Sequence, residues 1–197
     1  MYDIFFWIMS NIWIIFIVII VIVIIYSMRR HSNIKRIFES QALKRNGTIK
    51  GRFMNSTLTF SHQDHTVTVS TYPGSKHQSA YTRVVTDVNN PKEHKMKIYG
   101  ESWASGIGKK LGMQDIQIGT SDFDDRFMIK GNDEYFVVQL LTYNVQDKLL
   151  ALRKNRPVVS LEHNQFMINV PKVLKAEEEY NLLIDTALLL IDRMKGM

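Results

Sequence analysis

The first feature of the hydrophobic pattern is one long apolar run. Ile4 to Tyr26 reads IFFWIMSNIWIIFIVIIVIVIIY and contains no charged residue. At ~1.5 Å per helical residue, this run matches the ~30 Å hydrocarbon core of a bilayer with a modest tilt. It is longer than a signal-peptide core, and Ser27-Met28-Arg29 is a poor cleavage site. The pattern therefore predicts that residues 1–28 form the uncleaved signal anchor of a single-pass membrane protein.

Two polar residues, Ser10 and Asn11, interrupt the apolar run. An Asn inside a membrane seeks a hydrogen-bond partner, and it often finds one on a neighbouring helix. Asn11 is therefore a candidate transmembrane contact. The alternative is that Asn11 lies close enough to the outer headgroups to be hydrated.

After Gly47 the pattern changes to short segments in which apolar and polar residues alternate. Alternation with Thr, Val, Phe and Tyr predicts strands that are buried on one face. The segment SHQDH, from Ser61 to His65, contains His62 and His65 and predicts a hairpin turn between two of these strands. An antiparallel meander with one solvent-facing side is expected from the segments TIKGRF, STLTFSH, HTVTVSTY, SAYTRVVTDV and KMKIYGES.

Helical spacing of the apolar residues begins at Glu134. It continues to Arg153, with Asn132 or Asp133 as the N-cap. VVSLEHNQFMINV then predicts a hairpin, and Lys172 to Met194 predicts a second amphipathic helix. The expected fold is α+β: an N-terminal transmembrane helix, followed by an antiparallel β-sheet domain over residues 47–197 with two long amphipathic helices packed on one face.

The positive charge of the chain is concentrated next to the apolar run. Of a net charge of +6, residues 29–45 supply six Lys/Arg against one Asp/Glu, which leaves +1 for the rest. A nucleic-acid-binding domain is broadly basic, so we expect no nucleic-acid partner. Residues 29–46 are predicted to be a basic juxtamembrane segment, in which Ile34, Ile37, Phe38 and Leu43 form the apolar stripe of a short helix lying on the membrane. Its candidate membrane-surface binding residues are Arg29, Arg30, Lys35, Arg36, Lys44 and Arg45.

The same charges predict the orientation of the chain. Asp3 is the only charged side chain before the apolar run, whereas Lys and Arg dominate after it. The positive-inside rule then places the N-terminus outside and the domain in the cytoplasm, at the inner (cytoplasmic) cell membrane. The alternative is an exported domain.

The stretch GTSDFDDRFMIKGND, from Gly119 to Asp133, contains the densest group of candidate catalytic or metal-binding residues. Asp122, Asp124 and Asp125 offer carboxylate oxygens of the kind that Mg²⁺ and Ca²⁺ prefer, although the spacing differs from that of a calcium-binding EF-hand loop. The structural interpretation explains more of the stretch. In it, the stretch forms a turn, a strand and a helix cap, with Phe123 and Phe127 in the core. We therefore expect no cofactor and keep the three aspartates as the metal candidates.

Other motifs indicate little chemistry. The chain has no cysteine, which excludes disulfides, thiolate metal sites and a cysteine nucleophile. His62 and His65 have a spacing that zinc can use, but a solvated turn is the simpler interpretation. Lys109 and Lys110 follow two glycines in SGIGKKLG, which is not a Walker loop but is a candidate anion-binding loop. No Gly-x-Ser-x-Gly nucleophile elbow is present.

The C-terminal half, roughly residues 106–191, resembles a loosely defined set of uncharacterised bacterial membrane-anchored domains. The resemblance rests on IGTSDFDDRFMIKGNDEYFVVQLLT and the following VQDKLLAL, in which Gly119, Phe123, Asp124 and Phe127 match a segment that precedes a helix. It covers less than half of the chain and implies no activity and no catalytic residue. It agrees with a strand-to-helix junction.

These observations predict a non-enzymatic, single-pass membrane protein that acts as an accessory or assembly subunit of a membrane protein complex. Its expected partners are the lipid bilayer and either other membrane subunits or further copies of itself. Two alternatives stay open. One is a lipid- or ligand-sensing domain, and the other is a metal-dependent hydrolase that uses Asp122, Asp124 and Asp125.

Overall fold

The computed structural model describes residues 11–51, 56–100 and 113–196, with the side chains of residues 27–31 outside that description. Five α-helices, one 3-10 turn and nine strands occur within these ranges. The helices are α1 (Ile12–Arg45), α2 (Ser121–Asp124), α3 (Glu134–Leu140), α4 (Tyr143–Leu152) and α5 (Glu177–Lys195), and the 3-10 turn is Arg153–Asn155. The strands are β1 (Thr48–Lys50), β2 (Thr57–His62), β3 (His65–Tyr72), β4 (Tyr81–Asp87), β5 (Met96–Gly100), β6 (Gln114–Ile116), β7 (Phe127–Gly131), β8 (Val158–Glu162) and β9 (Gln165–Val170).

The strands form one nine-stranded antiparallel sheet in the order β1-β2-β3-β4-β9-β8-β5-β7-β6. The first four strands form a meander, as predicted, and β2 and β3 turn at Gln63-Asp64 within SHQDH. The fifth predicted strand, β5, does not continue the meander and pairs instead with β7 and β8. The β8–β9 hairpin inserts next to β4, where Thr82 pairs with Val170. The α+β class and the antiparallel sheet are therefore confirmed.

One face of the sheet carries the core. Along β3 the buried residues Val67 and Val69 alternate with half-buried Thr68 and Ser70, which is the period-two pattern of a sheet with one covered face. Apolar residues of α3, α4 and α5, including Leu183 of α5, join the same core. On the opposite face, Thr68 and Ser70 of β3 are polar and half-buried, whereas Tyr99 of β5 is fully buried.

The predicted helix from Glu134 to Arg153 is two helices. Asp133 caps the first, since its carboxylate accepts a hydrogen bond from the Phe136 backbone N–H at 3.0 Å. The chain then leaves the helical conformation at Leu141 (ψ 57°) and Thr142 (ψ 164°). The apolar spacing hides this break, because buried positions continue in phase on both sides of it and no Pro or Gly marks it.

The second predicted helix begins later than expected, at Glu177 rather than Lys172. The residues before it are held in a non-helical conformation by Thr82, whose hydroxyl donates to the Lys172 carbonyl (2.9 Å) and accepts from the Leu174 N–H (3.1 Å). Leu174 is fully buried. Its apolar character thus belongs to the core but not to the helical pattern.

Helix α1 runs without a break from Ile12, within the predicted anchor, to Arg45 in the predicted juxtamembrane segment. Among the described residues, no helix combines the length and the apolarity that are needed to cross a membrane. The predicted anchor spans residues 1–28, and residues 1–10 lie outside the described ranges. The transmembrane anchor therefore stays a prediction.

Candidate functional site

Helix α1 has two halves with opposite surroundings. In the first half, every residue from Ile12 to Tyr26 is apolar and 42–66% exposed. In the second half, Ile37 and Phe38 are buried at 4% and 0% exposure. One continuous helix thus joins a fully apolar exposed surface to the core of the domain.

The second half of α1 packs on α5 through apolar side chains. Phe38 meets Tyr180 edge to face, with ring centroids 5.6 Å apart, and aromatic pairs favour this arrangement. Ile34 packs against the same core, whereas Leu43 is 83% exposed. The predicted stripe of Ile34, Ile37, Phe38 and Leu43 was therefore wrong as a membrane-facing surface. Three of its four residues face the domain.

Polar contacts extend this junction along both helices. The two helices run in the same direction, because Asn33 early in this half of α1 meets Lys175, whereas Arg45 at its end meets Asp185. Each contact pairs a donor on α1 with an acceptor in the first half of α5 or just before it. The contacts are Asn33 to the Lys175 carbonyl (2.9 Å), Ser40 to Glu177 (2.7 Å), Lys44 to Glu177 (2.5 Å), Gln41 to Asn181 (2.9 Å) and Arg45 to Asp185 (2.7 Å).

The predicted membrane-surface cations divide into three groups. Lys44 and Arg45 form ion pairs with α5, so both are engaged with the domain. Lys35 lies 3.7 Å from Glu39, and Arg36 is exposed. The side chains of Arg29 and Arg30 lie outside the description. Membrane-surface binding by these cations stays a prediction.

Two glutamates at the start of α5, Glu177 and Glu179, have pKa values below the ordinary value of a glutamate. The hydrogen bond from Lys44, joined by that from Ser40, lowers the pKa of Glu177 below its ordinary value. Burial works to raise the pKa of Glu179, but hydrogen bonds from two backbone N–H groups before the helix, together with the nearby Lys172 ammonium, outweigh it, and the pKa is lowered. Carboxylates at a helix N-terminus also match the positive end of the helix dipole.

Acidification is expected to weaken the contact between α1 and α5. Because the folded protein lowers the pKa of Glu177, its stabilising contribution is present above the unfolded value of 4.5 and is lost as pH falls through the folded value. The measurement is hydrogen exchange of the α1 amides near Ser40 in the full chain, corrected for the intrinsic pH dependence. Glu177→Gln is the control and should give a flatter profile. An identical pH profile in this variant would contradict the assigned role of Glu177.

The aspartates of Gly119–Asp133 have structural partners. Asp124 accepts hydrogen bonds from the backbone N–H groups of Ile118 (3.1 Å) and Gly119 (3.0 Å), where Gly119 adopts a φ of 79° that glycine tolerates. Asp122 pairs with Arg126 at 2.6 Å, and Asp125 is exposed at the end of α2. These contacts close the turn before β7, as the structural interpretation predicts.

Phe123 and Phe127 are buried and stacked, with ring centroids 4.8 Å apart. Their predicted place in the core is confirmed. In the described ranges, no group of three or more His, Asp or Glu side chains is arranged to hold a metal ion.

The remaining candidates are distributed as follows. His62 contacts Asp192 of α5 at 2.7 Å, and His65 contacts the Asp87 carbonyl at 2.9 Å, so the hairpin turn is tied to its neighbours. Lys109 and Lys110 lie outside the described residues. Asn11 precedes α1, and its carbonyl accepts hydrogen bonds from the helix start. A transmembrane contact by Asn11 stays a prediction.

The sequence did not indicate the residues of α5 that receive α1. Glu177, Asn181 and Asp185 lie at i, i+4 and i+8, so they form one polar line along the helix. Such a line normally indicates a solvated helix face. Its only distinguishing signal was that it matches, in spacing and opposite charge, the line of Gln41 and Arg45 on α1.

The geometry defines a class: an α+β domain with a nine-stranded antiparallel sheet, entered by a long helix whose first half is apolar and exposed. No family model matches the chain, and no curated protein matches it significantly. Among solved structures, the crystal structure of the mycobacterial trehalose monomycolate transport factor A, TtfA, is similar, with a TM-score of 0.58 and 7% sequence identity over 82% of this chain and 94% of that chain. At this identity the likeness shows a shared fold.

Proposed function

We propose that this chain is a non-enzymatic, membrane-tethered accessory protein of a membrane protein complex, with its domain on the cytoplasmic side. The observation that carries the proposal is the continuity of α1. Its exposed apolar half, from Ile12 to Tyr26, continues without a break into a half that packs against the domain and forms hydrogen bonds with α5.

The exposed half of α1 needs an apolar environment. Monomeric proteins in water rarely expose a large contiguous apolar patch. A helix that is apolar on all sides is typical of a membrane span. With residues 4–11 included, the apolar run reaches the length of the hydrocarbon core, and Lys35 and Arg36 then follow on the inner side.

The docked half of α1 supports a role in positioning. A flexible linker would let the domain tumble, whereas a continuous helix with contacts from Asn33 to Arg45 fixes the domain relative to its tether. A fixed domain presents the same surface to neighbouring subunits. One exposed apolar group suited to such contact is Tyr135, Val138 and Tyr143 on α3 and α4.

A non-enzymatic role is supported by the engaged carboxylates. Asp122 and Asp124, the leading catalytic candidates, are committed to Arg126 and to the backbone of the turn. A hydrolase that used them would have to break these contacts.

A second candidate function, lipid sensing or lipid transport, is favoured by the likeness in fold to a transport factor whose name specifies trehalose monomycolate. The two functions are separable by what accompanies the purified protein: a stoichiometric protein partner for the first, and a bound lipid for the second.

The test uses the full chain with Ile19→Arg and its matched control Ile19→Leu. A charged residue at the centre of a span costs about 2.5–3.5 kcal/mol on the insertion scale. We therefore expect Ile19→Arg to shift the protein from the carbonate-resistant membrane fraction to the extractable fraction, while Ile19→Leu leaves it in place.

The same samples test the accessory role by a mild-detergent pull-down and mass spectrometry. We expect a stoichiometric membrane partner with the natural chain and with Ile19→Leu, and its loss with Ile19→Arg. A stable monomer without a partner, purified from intact membranes, would count decisively against the accessory role. Co-purified lipid in that case would favour the second candidate.

A further inference from the structure

The two ends of the sheet are distinguishable by their relation to α1. The first contact with the domain among the described side chains of α1 joins Asn33 to the Lys175 carbonyl, just before α5 begins. The far end of α5 reaches the β2–β3 turn, where Lys195 pairs with Asp64 at 2.6 Å. The exposed half of α1 therefore projects beyond the end at which α5 starts. We call this end, with its connecting segments 73–80, 153–157 and 171–176, the entry end.

The strand register places all three segments at the entry end. Tyr72 pairs with Tyr81, so segment 73–80 closes the β3–β4 hairpin there. Thr82 pairs with Val170, which leads into segment 171–176. Val158 pairs with Asn169, so segment 153–157 enters β8 at the same level.

These segments contain cations and no acidic residue. The nearest acidic residues at this end are in the first turn of α5, where Glu177 pairs with Lys44 and Glu178 is exposed, so the basic residues of the three segments outnumber the acidic residues beside them. Lys172 lies 3.5 Å from Glu179 of α5 and is partly neutralised. The exposed basic side chains of the three segments are Lys76, Arg153, Lys154, Arg156, Lys172 and Lys175, with exposed His77 beside them.

The other connections in the described ranges carry mixed or acidic charges. At the opposite end, Asp64, Glu93 and Asp133 accompany Lys92 and Lys95, so the charges there are mixed. At the edge of the sheet near the entry end, the connection 117–126 is acidic. It lies beyond β5 and β7, away from α1 and α5. Among the residues that the structure describes, the basic surface therefore lies in the middle of the entry end.

The sequence concealed this surface. Outside residues 29–45 the net charge is only +1, which predicts no basic face on the domain. The fold instead brings the cations of three distant segments to one end, while Glu177 and Asp185 of α5 are paired with Lys44 and Arg45 of α1.

The entry end also lies at the correct distance from the apolar helix. Asn33 is seven positions after Tyr26, which corresponds to about 10 Å along a helix. A surface that close to the end of the apolar run is within reach of lipid headgroups and within one Debye length of their charge.

From this geometry we infer that the entry end of the domain is a docking surface for an anionic phospholipid membrane, in which segments 73–80, 153–157 and 171–176 contact the headgroups. The inference rests on the proposed membrane tether and deepens it. The tether and the three segments then hold the sheet end-on to the bilayer. Basic residues next to anionic lipid each strengthen the contact, and the effect falls off within a Debye length.

The test uses the full chain reconstituted in vesicles of phosphatidylcholine alone and in vesicles with added phosphatidylglycerol. Because the chain has no cysteine, one Cys can be introduced at exposed Ser79 in the entry end or at exposed Asn164 in the opposite end. A fluorophore on each reports energy transfer to a headgroup-labelled lipid. We expect transfer from Ser79→Cys to increase with phosphatidylglycerol, and transfer from Asn164→Cys to stay low in both vesicles.

Two charge variants sharpen the test. Lys76→Gln with Lys154→Gln removes two cations from the entry end, and Lys92→Gln with Lys95→Gln removes the same number from the opposite end. In the entry-end pair, the affinity of this surface for phosphatidylglycerol should fall roughly fivefold per removed cation. The increase in energy transfer with phosphatidylglycerol should therefore be lost. The control pair should retain it.

The outcomes separate the two hypotheses. If the protein does not incorporate into either vesicle, the tether fails and the docking surface fails with it. If the protein incorporates but the Ser79→Cys signal is indifferent to phosphatidylglycerol, the docking surface is overturned while the tether stands. The entry end would then be free for an acidic protein instead.

Discussion

Replacing Phe38 by alanine is expected to lower the free energy of unfolding of the full chain by about 3–5 kcal/mol. Phe38 is fully buried and contacts Tyr180 of α5 edge to face. Its loss leaves a cavity where α1 joins the core, and the ring pair is lost as well. The measurement is denaturant unfolding of the full chain in mild detergent.

Leu43→Ala is the matched control for this prediction. Leu43 lies on the same helix, five residues after Phe38, but it is 83% exposed. Substitutions at such a surface position change stability by no more than about 0.5 kcal/mol. Equal effects of Phe38→Ala and Leu43→Ala would mean that α1 is not docked, and the fixed tether in the proposed function would lose its basis.

Replacing Phe123 by alanine is expected to have a similarly large effect, about 3–5 kcal/mol. Phe123 is fully buried and stacks on Phe127 at 4.8 Å between ring centroids. The two rings fix the turn that carries the aspartates, so their removal should loosen α2 and the start of β7. The measurement is again denaturant unfolding of the full chain.

The aspartates beside Phe123 provide graded controls. Asp124→Ala removes a carboxylate that accepts two backbone hydrogen bonds, and hydrogen bonds to charged groups contribute about 1.5–3 kcal/mol. Asp125→Asn changes an exposed residue and should alter stability by no more than about 0.5 kcal/mol.

The same proteins decide between structure and metal binding. A cation that binds only the folded state must raise the melting temperature. We expect added Mg²⁺, Ca²⁺ or Zn²⁺ to leave it unchanged in the natural chain. An increase that disappears in Asp125→Asn would revive the metal-dependent hydrolase.

Local patterns in the sequence were sufficient for much of the sheet. The β2–β3 and β8–β9 hairpins were predictable, because period-two alternation and turn residues act over a few neighbouring positions. The same holds for the cap at Asp133 and for the burial of Phe123 and Phe127. The break at Leu141-Thr142 was not predictable, because buried positions on both sides of it keep the helical phase.

The sequence by itself determined a long apolar run near the N-terminus, an antiparallel α+β domain after it, and acidic residues in a structural turn. Only the tertiary structure decided that α1 packs against the domain core after Tyr26. An apolar stripe with basic neighbours is suited to a membrane surface and to a protein core alike. Ile37 and Phe38 became core because α5, about 140 residues later, supplies Tyr180 and the matching acceptors Glu177 and Asp185. Contacts over such separations depend on how strands and helices pack, which no local pattern records.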